Sequence, residues 1–185
     1  FVIKGSLPNP PDFFEKYLTY YLLKNGIEVS NQSIGDSSVC TLLFSYLSPT
    51  LSEIVKMTNK YSINHYAETL FRYNGLKIYS KGDLNSAIKA NFKYLKNAGI
   101  NFQGVNTFDG SGLSRMDNMT TQTLTDFLVH MYKKKDIFPT FLASLPKTGG
   151  SGTLNSFCYK CKSRPYISAK TGTMTRIKSL AGYLQ

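Results

Sequence analysis

The apolar residues in the first part of the chain recur with helical spacing. After Asn9-Pro10-Pro11-Asp12, the apolar side chains of residues 13–22 fall on one face of a predicted helix, and Asn25-Gly26 ends it. Residues Ile27 to Val29 are predicted to form a short strand.

Two more helices are predicted on either side of residue 62. Thr50 with Glu53 three residues later forms a capping box, so a helix begins there. The next helix is expected to start near Ser62, since serine commonly caps a helix N-terminus, and to end at Asn74-Gly75.

After Asp83 the sequence predicts three more helices and then two strands at the C-terminal end. The predicted helices are one capped by Asp83 and closed by Gly99, one beginning at Thr120 or Thr121, and a short one from Phe138 to Leu142. Residues 166–173 and 179–184 then read as two strands joined by residues 174–178. The sequence predicts mostly helix, with a sheet formed largely at the C-terminal end.

Composition narrows the class of protein. The 185 residues are 42% hydrophobic, which suffices for one domain with a sizeable core. No apolar run approaches the roughly 18 residues of a membrane span. The net charge is +11, but the basic residues are scattered, with clusters only at 133–135 and 160–164, so no nucleic-acid partner is expected. Attraction to an anionic wall polymer or membrane surface stays open, beside a plain solvated surface.

The three cysteines predict no metal site. Cys158 and Cys161 form one C-x-x-C pair, and only His65 and His130 could add ligands. A local disulfide and free thiols both remain open for the pair. Cys40 lies in an apolar stretch and is expected to be a small core residue.

Lys170-Thr171-Gly172-Thr173 carries the strongest chemical signal. A lysine on a strand that lines a cleft supplies positive charge beside a reacting serine and attracts a substrate carboxylate, to which the hydroxyls of Thr171 and Thr173 can donate. Gly172 lets a substrate approach the strand and pair with it, and the Thr173 N–H points where an oxyanion could form. Lys147-Thr148-Gly149 repeats the tripeptide, but it follows Pro146 and precedes a glycine loop, where no strand is predicted.

Ser62-Ile63-Asn64 is the second candidate motif. A hydroxyl at a helix start can relay a proton to a leaving amine, and Asn64 can hydrogen-bond both a substrate backbone and a catalytic lysine. Such a role is compatible with the capping role predicted for Ser62. The catalytic role, unlike the capping role, requires Ser62 and Lys170 to face each other across a groove.

Four ordered blocks give the chain a family resemblance. They are Tyr61-Ser62-Ile63-Asn64-His65-Tyr66-Ala67-Glu68, Asp109-Gly110-Ser111-Gly112-Leu113-Ser114-Arg115, Ser144-Leu145-Pro146 with Gly152-Thr153-Leu154, and Ala169-Lys170-Thr171-Gly172-Thr173-Met174. From about Gly5 to Gln185 the chain resembles the D-alanyl-D-alanine carboxypeptidase/endopeptidase family, the class C low-molecular-mass penicillin-binding proteins. The resemblance implies an α+β fold of the penicillin-binding protein and serine β-lactamase (transpeptidase) type, an antiparallel sheet with helices on both faces.

The resemblance also implies an activity and assigns residues to it. A family member is an exported enzyme that cleaves peptidoglycan stem peptides through an acyl-serine, and β-lactams acylate the same serine. No cofactor is implied. Carried over by position, Ser62 and Asn64 form the second motif and Lys170 to Gly172 the third, while Thr173 contacts the oxyanion and the substrate carboxylate. Leu113 and Met174 are expected to form walls of the substrate side-chain pocket, and Asp109 and Arg115 to pair and hold their loop.

Two departures from the family pattern stand out. Ile63 takes the middle position of the second motif, where the family often has Asp or Asn. The nucleophilic Ser-x-x-Lys that should lie upstream of Ser62 is not found. Ser86-Ala87-Ile88-Lys89 and Ser144-Leu145-Pro146-Lys147 match by chance; the first lies on a surface helix and the second contains a proline.

The missing nucleophile shapes the interpretation of the whole chain. Residues 1–185 are expected to be the C-terminal portion of a penicillin-binding (D,D-peptidase) domain, truncated at both ends. Two alternatives stay open: a non-catalytic cell-wall- or protein-binding module with a degenerate cleft, and a serine β-lactamase.

Overall fold

The computed structural model describes residues 7–30, 42, 44–157, 160, 162 and 166–184. The chain divides into two compact units, Phe1–Tyr46 and Leu47–Gln185. The described elements are α1 (Pro10–Lys24) in the first unit and, in the second, α2 (Leu51–Tyr61), α3 (Asn64–Tyr79), α4 (Leu84–Asn97), α5 (Thr121–Lys133), α6 (Phe138–Ser144), β1 (Ile167–Met174) and β2 (Ile177–Leu184). Helices followed by an antiparallel hairpin form the α+β mixture that the sequence predicts.

The first unit contains α1, which begins and ends where the sequence predicts. The Asn9 side chain caps its N-terminus, and Gly26 ends it with a positive φ of 75°. The strand predicted at 27–29 is wrong. Ile27 donates its N–H to the carbonyl of Leu22 and so completes the helix C-terminus instead of entering a ladder.

The junction between α2 and α3 differs from the prediction at Ser62. The capping box of Thr50 and Glu53 is present and starts α2. Ser62, however, is the C-cap of α2 in the left-handed conformation (φ 56°, ψ 50°), and Ile63 precedes α3 without a side-chain cap. The prediction of Ser62 as an N-cap is therefore wrong: the residue lies in the turn between the two helices, and it is exposed.

Helix α3 runs one turn further than predicted. It passes through Asn74-Gly75 and ends at Tyr79. Gly75 serves packing rather than termination, because a Cβ there would lie 2.6 Å from the backbone nitrogen of Ala87 on α4. The glycine lets α3 and α4 approach closely, and that contact outweighs its low helix propensity.

Local signals place α4 and α5 correctly. The Asp83 carboxylate accepts the N–H of Ser86 at 2.8 Å, and Thr120 accepts the N–H of Thr123 at 3.0 Å. The buried apolar residues come from the helices, the loops after them and β1: Ala87, Ala90, Leu95, Ile100, Val105, Met131, Leu145, Leu154 and Ala169.

The hairpin is tighter than the sequence suggests. β1 and β2 pair in antiparallel register from Ile167 opposite Leu184 to Met174 opposite Ile177, so only two residues form the turn. A short bridge on the other edge of β1 joins Lys147 to Ser168. No described strand includes Lys147, as the sequence predicts, and the contact is limited to this isolated bridge.

The helices α5 and α6 support the hairpin through Tyr183. Its hydroxyl donates to the carbonyl of Leu128 at 2.8 Å. Its ring packs edge-on against Phe138, 5.1 Å between centroids, and Phe141, 6.4 Å between centroids. This packing fixes the strand that pairs with β1.

The predictions made for the three cysteines stay predictions, because Cys40, Cys158 and Cys161 lie outside the described residues. Among the helices that the structure describes, none is long and apolar enough to cross a bilayer.

Candidate active site

Ser62 and Lys170 meet although 108 positions separate them in sequence. The Lys170 Nζ donates to Ser62 Oγ at 2.9 Å and to the carbonyl of Thr171 at 2.6 Å. The left-handed turn after α2 presents the hydroxyl, and β1 presents the ammonium. The two motifs predicted from sequence are therefore in direct contact.

The environment of Lys170 changes its acidity. Partial burial lowers the pKa of the Lys170 ammonium below its usual value, because the charged form is less well solvated there. Both of its hydrogen-bond partners are neutral oxygens, and no carboxylate among the described residues forms an ion pair with it. An ammonium in these surroundings gives up its proton more readily than a lysine in water, which suits proton exchange with a neighbouring hydroxyl.

A cleft of about 490 Å³ opens beside this pair. Its walls come from the α2–α3 junction, the loop after Asn106, α5 and the hairpin. All eight residues that the sequence assigns to the site line it: Ser62, Asn64, Leu113, Lys170, Thr171, Gly172, Thr173 and Met174. Ser111 and Gly112 of the loop also contribute.

The outer edge of β1 offers backbone groups to a ligand. Ala169 donates its N–H to the carbonyl of Pro146 at 3.0 Å, on the side of β1 opposite β2. Because backbone groups alternate along a strand, the N–H groups of Thr171 and Thr173 point to the same side. The bridge on this side is centred on Ser168, so the edge beyond Ala169 is not paired with any described strand.

The loop that carries Leu113 is held by Asp109. The Asp109 carboxylate accepts the backbone N–H of Gly112, the N–H of Ser114 at 2.7 Å and the hydroxyl of Ser111 at 3.1 Å. Partial burial raises the pKa of Asp109, but these hydrogen bonds outweigh it and lower the pKa below its usual value. The predicted pairing with Arg115 is wrong: no salt bridge joins the two residues in the described part of the chain, because backbone donors already occupy the carboxylate.

Glu68 and Gly110 form a contact that sequence reasoning missed. Gly110 donates its N–H to Glu68 Oε2 at 2.7 Å, and Arg72 holds the other carboxylate oxygen at 2.6 Å. A Cβ on Gly110 would lie 2.8 Å from the carbonyl of Ala67. Both residues stand in the family-like blocks, but no spacing rule indicates that they touch across 42 positions.

A second cleft, of about 710 Å³, adjoins the first along β1. Thr153 lies in it and accepts the hydroxyl of Thr171 at 3.0 Å. The backbone N–H of Thr153 donates to the carbonyl of Lys60 at 3.1 Å, two residues before Ser62. Thr153 therefore links the end of α2 to the lysine-bearing strand, and sequence reasoning gave it no role.

The two chance Ser-x-x-Lys matches lie elsewhere. Ser86 is 7% exposed and donates to the Asp83 carboxylate at 3.0 Å. Ser144 is 1% exposed, donates to the carbonyl of Phe141 at 2.6 Å and accepts from Asn59 at 2.8 Å. Neither lines either cleft along β1. Their hydroxyls hold helices in place.

No group of three or more His, Cys, Asp or Glu side chains in the described ranges is arranged to hold a metal ion. The chemistry on view is that of hydroxyls, one ammonium and backbone N–H groups.

Solved structures define the class of protein. The crystal structure of penicillin-binding protein 4 from Haemophilus influenzae complexed with a β-lactam matches 100% of this chain and 43% of its own, with a TM-score of 0.86 and 26% identity. A second crystal structure of that protein matches 97% of this chain and 40% of its own, with a TM-score of 0.84 and 26% identity. The fold and the contact between Ser62 and Lys170 place the chain among the penicillin-binding proteins.

The family follows from sequence comparison. The chain belongs to the D-Ala-D-Ala carboxypeptidase 3 (S13) family, whose profile matches residues 3–185. The family resemblance and the α+β penicillin-binding fold expected from the sequence are thus confirmed.

Curated relatives come from several organisms. Penicillin-sensitive carboxypeptidase A of Dictyostelium discoideum is 28% identical over 188 residues, 99% of this chain and 36% of that protein. The D-alanyl-D-alanine carboxypeptidase of an Actinomadura species is 32% identical over 148 residues, 77% of this chain and 27% of that protein. The chain spans about a third of the length of the curated relatives that it matches.

Proposed function

We propose that this chain forms part of the active site of a serine D,D-carboxypeptidase/endopeptidase. The substrate is a D-Ala-containing stem peptide of peptidoglycan, and the reaction passes through an acyl-enzyme that β-lactams trap. The single observation that carries the proposal is the 2.9 Å contact between Lys170 Nζ and Ser62 Oγ in a cleft bordered by an open strand edge. Residues 1–185 are the C-terminal portion of that enzyme's penicillin-binding domain.

The substrate binds by adding a strand to β1. Its backbone pairs with the N–H and carbonyl groups on the outer edge at Thr171 and Thr173, and Gly172 leaves room for the approach. The side chain before the scissile bond lies against Leu113 and Met174. The Thr173 N–H then faces the carbonyl oxygen that becomes negative during attack.

The covalent step uses a serine outside this chain. That serine's Oγ forms a bond to the penultimate D-Ala carbonyl carbon, and the peptide C–N bond breaks. The leaving amine takes a proton from the Ser62 hydroxyl, and Lys170, already hydrogen-bonded to Ser62, replaces it. The proton that the attacking serine hydroxyl releases as the ester forms then restores Lys170, so no net proton is lost or gained. Water then hydrolyses the ester and frees the shortened peptide.

One observation favours a second candidate, a non-catalytic wall- or protein-binding module. Among the described residues, no serine in a Ser-x-x-Lys pattern reaches the cleft, since Ser86 and Ser144 hold helices instead. Such a module would bind the same peptide along β1 without cleaving it.

The chemistry also suggests where the protein works. A peptidase for peptidoglycan acts outside the cytoplasm, so we propose export to the cell envelope or periplasm. The net charge of +11 supports loose association with an anionic wall polymer or membrane surface.

The decisive experiment measures release of D-Ala from a synthetic stem peptide by the natural protein that contains this chain. Release that stops after treatment with penicillin is the expected result. Peptide binding without D-Ala release, and with no covalent penicillin adduct, would replace the enzyme with the binding module.

A further inference from the structure

Glu68 lies on the same side of α3 as Asn64. The two residues are four positions apart, and residues with that spacing are neighbours on one face of a helix. Asn64 lines the cleft together with Ser62 and Lys170. Because the helix between them is regular, whatever Glu68 binds is held at a fixed distance from the groups that the proposed reaction uses.

The Glu68 carboxylate has two partners of different kinds. Arg72 donates to Oε1 at 2.6 Å, within α3, and the two side chains are 45% and 26% exposed, with Arg72 the more exposed. An ion pair of this kind within one helix contributes little to stability. Gly110 donates its backbone N–H to Oε2 at 2.7 Å, and this bond joins α3 to the loop that carries Leu113.

The segment from residue 109 to residue 114 is closed on itself by Asp109. The Asp109 carboxylate accepts the backbone N–H of Gly112 and, at 2.7 Å, that of Ser114. Leu113 stands between these two anchored residues and lines the cleft, but it is 56% exposed. Its place is therefore determined by the loop backbone more than by packing of its side chain, and the position of Gly110 sets it.

The loop has no room to move closer to α3. A Cβ on Gly110 would lie 2.8 Å from the carbonyl oxygen of Ala67 and 2.9 Å from Phe71 Cγ. The loop backbone thus already lies against the helix, and it cannot follow a carboxylate that is drawn back. The hydrogen bond to Gly110 depends on the reach of the side chain at position 68 rather than on its charge.

We infer that Glu68 is a positioning residue that sets the wall of the substrate side-chain pocket. By holding Gly110 it fixes Leu113 relative to the catalytic groups. The site's discrimination between side chains before the scissile bond then depends on Glu68, although Glu68 itself does not touch the substrate. The inference rests on the proposed function and refines it.

Two substitutions of Glu68 in the natural protein separate reach from charge. Glu68→Gln keeps the length of the side chain and an acceptor oxygen for Gly110, but removes the charge. Glu68→Asp keeps the charge but is one methylene shorter. Arg72→Ala, which removes the contact within α3 and leaves the Gly110 bond, is the matched control.

Each variant is assayed on two stem peptides that differ only in the penultimate residue, which is D-Ala in one and D-2-aminobutyrate, one methylene longer, in the other. The measured quantity is the ratio of the two kcat/KM values, and urea unfolding checks that each variant is folded. A general loss of stability or activity lowers both values together and leaves their ratio unchanged, whereas a displaced wall changes the ratio.

We expect Glu68→Asp to lower the ratio of D-Ala to D-2-aminobutyrate cleavage roughly fivefold or more, since a well-held apolar wall rejects one extra methylene by about 10- to 200-fold. Glu68→Gln and Arg72→Ala should stay within about twofold of the parent, because both keep the bond to Gly110 and lose only an exposed ion pair.

The possible failures can be told apart. A parental ratio in Glu68→Asp overturns the inference and leaves the peptidase intact. A fivefold fall in Glu68→Gln or in Arg72→Ala does the same, because charge would then matter more than reach, and these two tests hold even where Glu68→Asp is too unstable to assay. A parent protein that cleaves neither peptide contradicts the proposed function, and the inference with it.

Discussion

Adding one methyl group at Gly110 should disturb the wall of the cleft. In Gly110→Ala the new Cβ would lie 2.8 Å from the carbonyl of Ala67 and 2.9 Å from Phe71 Cγ on α3. The loop must move away from α3 to relieve these contacts. That movement stretches the 2.7 Å hydrogen bond from the Gly110 N–H to Glu68.

The expected loss of folding stability follows from the close approach of the new Cβ to α3 and from the stretched hydrogen bond to Glu68. Overpacking costs about 1–3 kcal/mol, and a hydrogen bond to a carboxylate contributes about 1.5–3 kcal/mol, less where solvent reaches it. We expect a loss of about 2–4 kcal/mol in the free energy of unfolding. Leu113 is on the same loop, so the cleft wall shifts as well. A misplacement of about 1 Å can cost on the order of 100-fold in rate, so penicillin acylation should fall at least roughly tenfold.

Urea unfolding and the second-order rate of penicillin acylation measure both effects in the natural protein. Gly82→Ala is the matched control, because its Cβ would meet nothing closer than Leu76 Cβ at 4.0 Å and its φ is not left-handed. The reasoning is refuted if Gly110→Ala unfolds and reacts like Gly82→Ala.

Two further predictions concern the supports of the site. The lowered pKa of Asp109 means that its ionised form stabilises the folded loop above the usual carboxyl pKa of 3.8, and that this contribution is lost as the pH falls through the lower folded-state pKa. Asp109→Asn should therefore lower the free energy of unfolding by about 1–2 kcal/mol at pH 7, and the difference should narrow below about pH 4 in a urea titration; a pH-independent difference would contradict this. Tyr183→Phe keeps the ring contacts with Phe138 and Phe141 and removes the 2.8 Å hydrogen bond to Leu128, so it should cost about 1 kcal/mol without changing acylation; a large loss of acylation in a stable variant would show that the support of β2 was misjudged.

Signals contained within a few residues predicted the fold well. The caps at Thr50, Asp83 and Thr120 each bind the backbone N–H three residues later, so the two partners can be identified from the sequence alone. The hairpin likewise follows from two neighbouring β-rich segments. The contact between Ser62 and Lys170, by contrast, was expected from the family resemblance, since no periodicity joins positions 108 residues apart.

The errors arise where a long-range contact overrides a local preference. Gly75 usually signals a helix end, but here it admits Ala87 of a neighbouring helix. Ser62 has the chemistry of an N-cap, but it ends α2 in the left-handed region, in the turn between two helices. Asp109 accepts backbone N–H groups, which no sequence pattern indicates, and so the pairing with Arg115 that the family resemblance suggested is wrong.

The central claim is that Lys170, and not the identical tripeptide at Lys147, faces the reacting serine. Lys147 is exposed at the bridge to Ser168 and lines neither cleft along β1, which makes Lys147→Ala the matched control for Lys170→Ala. The most direct measurement is covalent labelling of both variants of the natural protein with a fluorescent penicillin. We predict no labelling of Lys170→Ala and parental labelling of Lys147→Ala; parental labelling of Lys170→Ala would contradict the account.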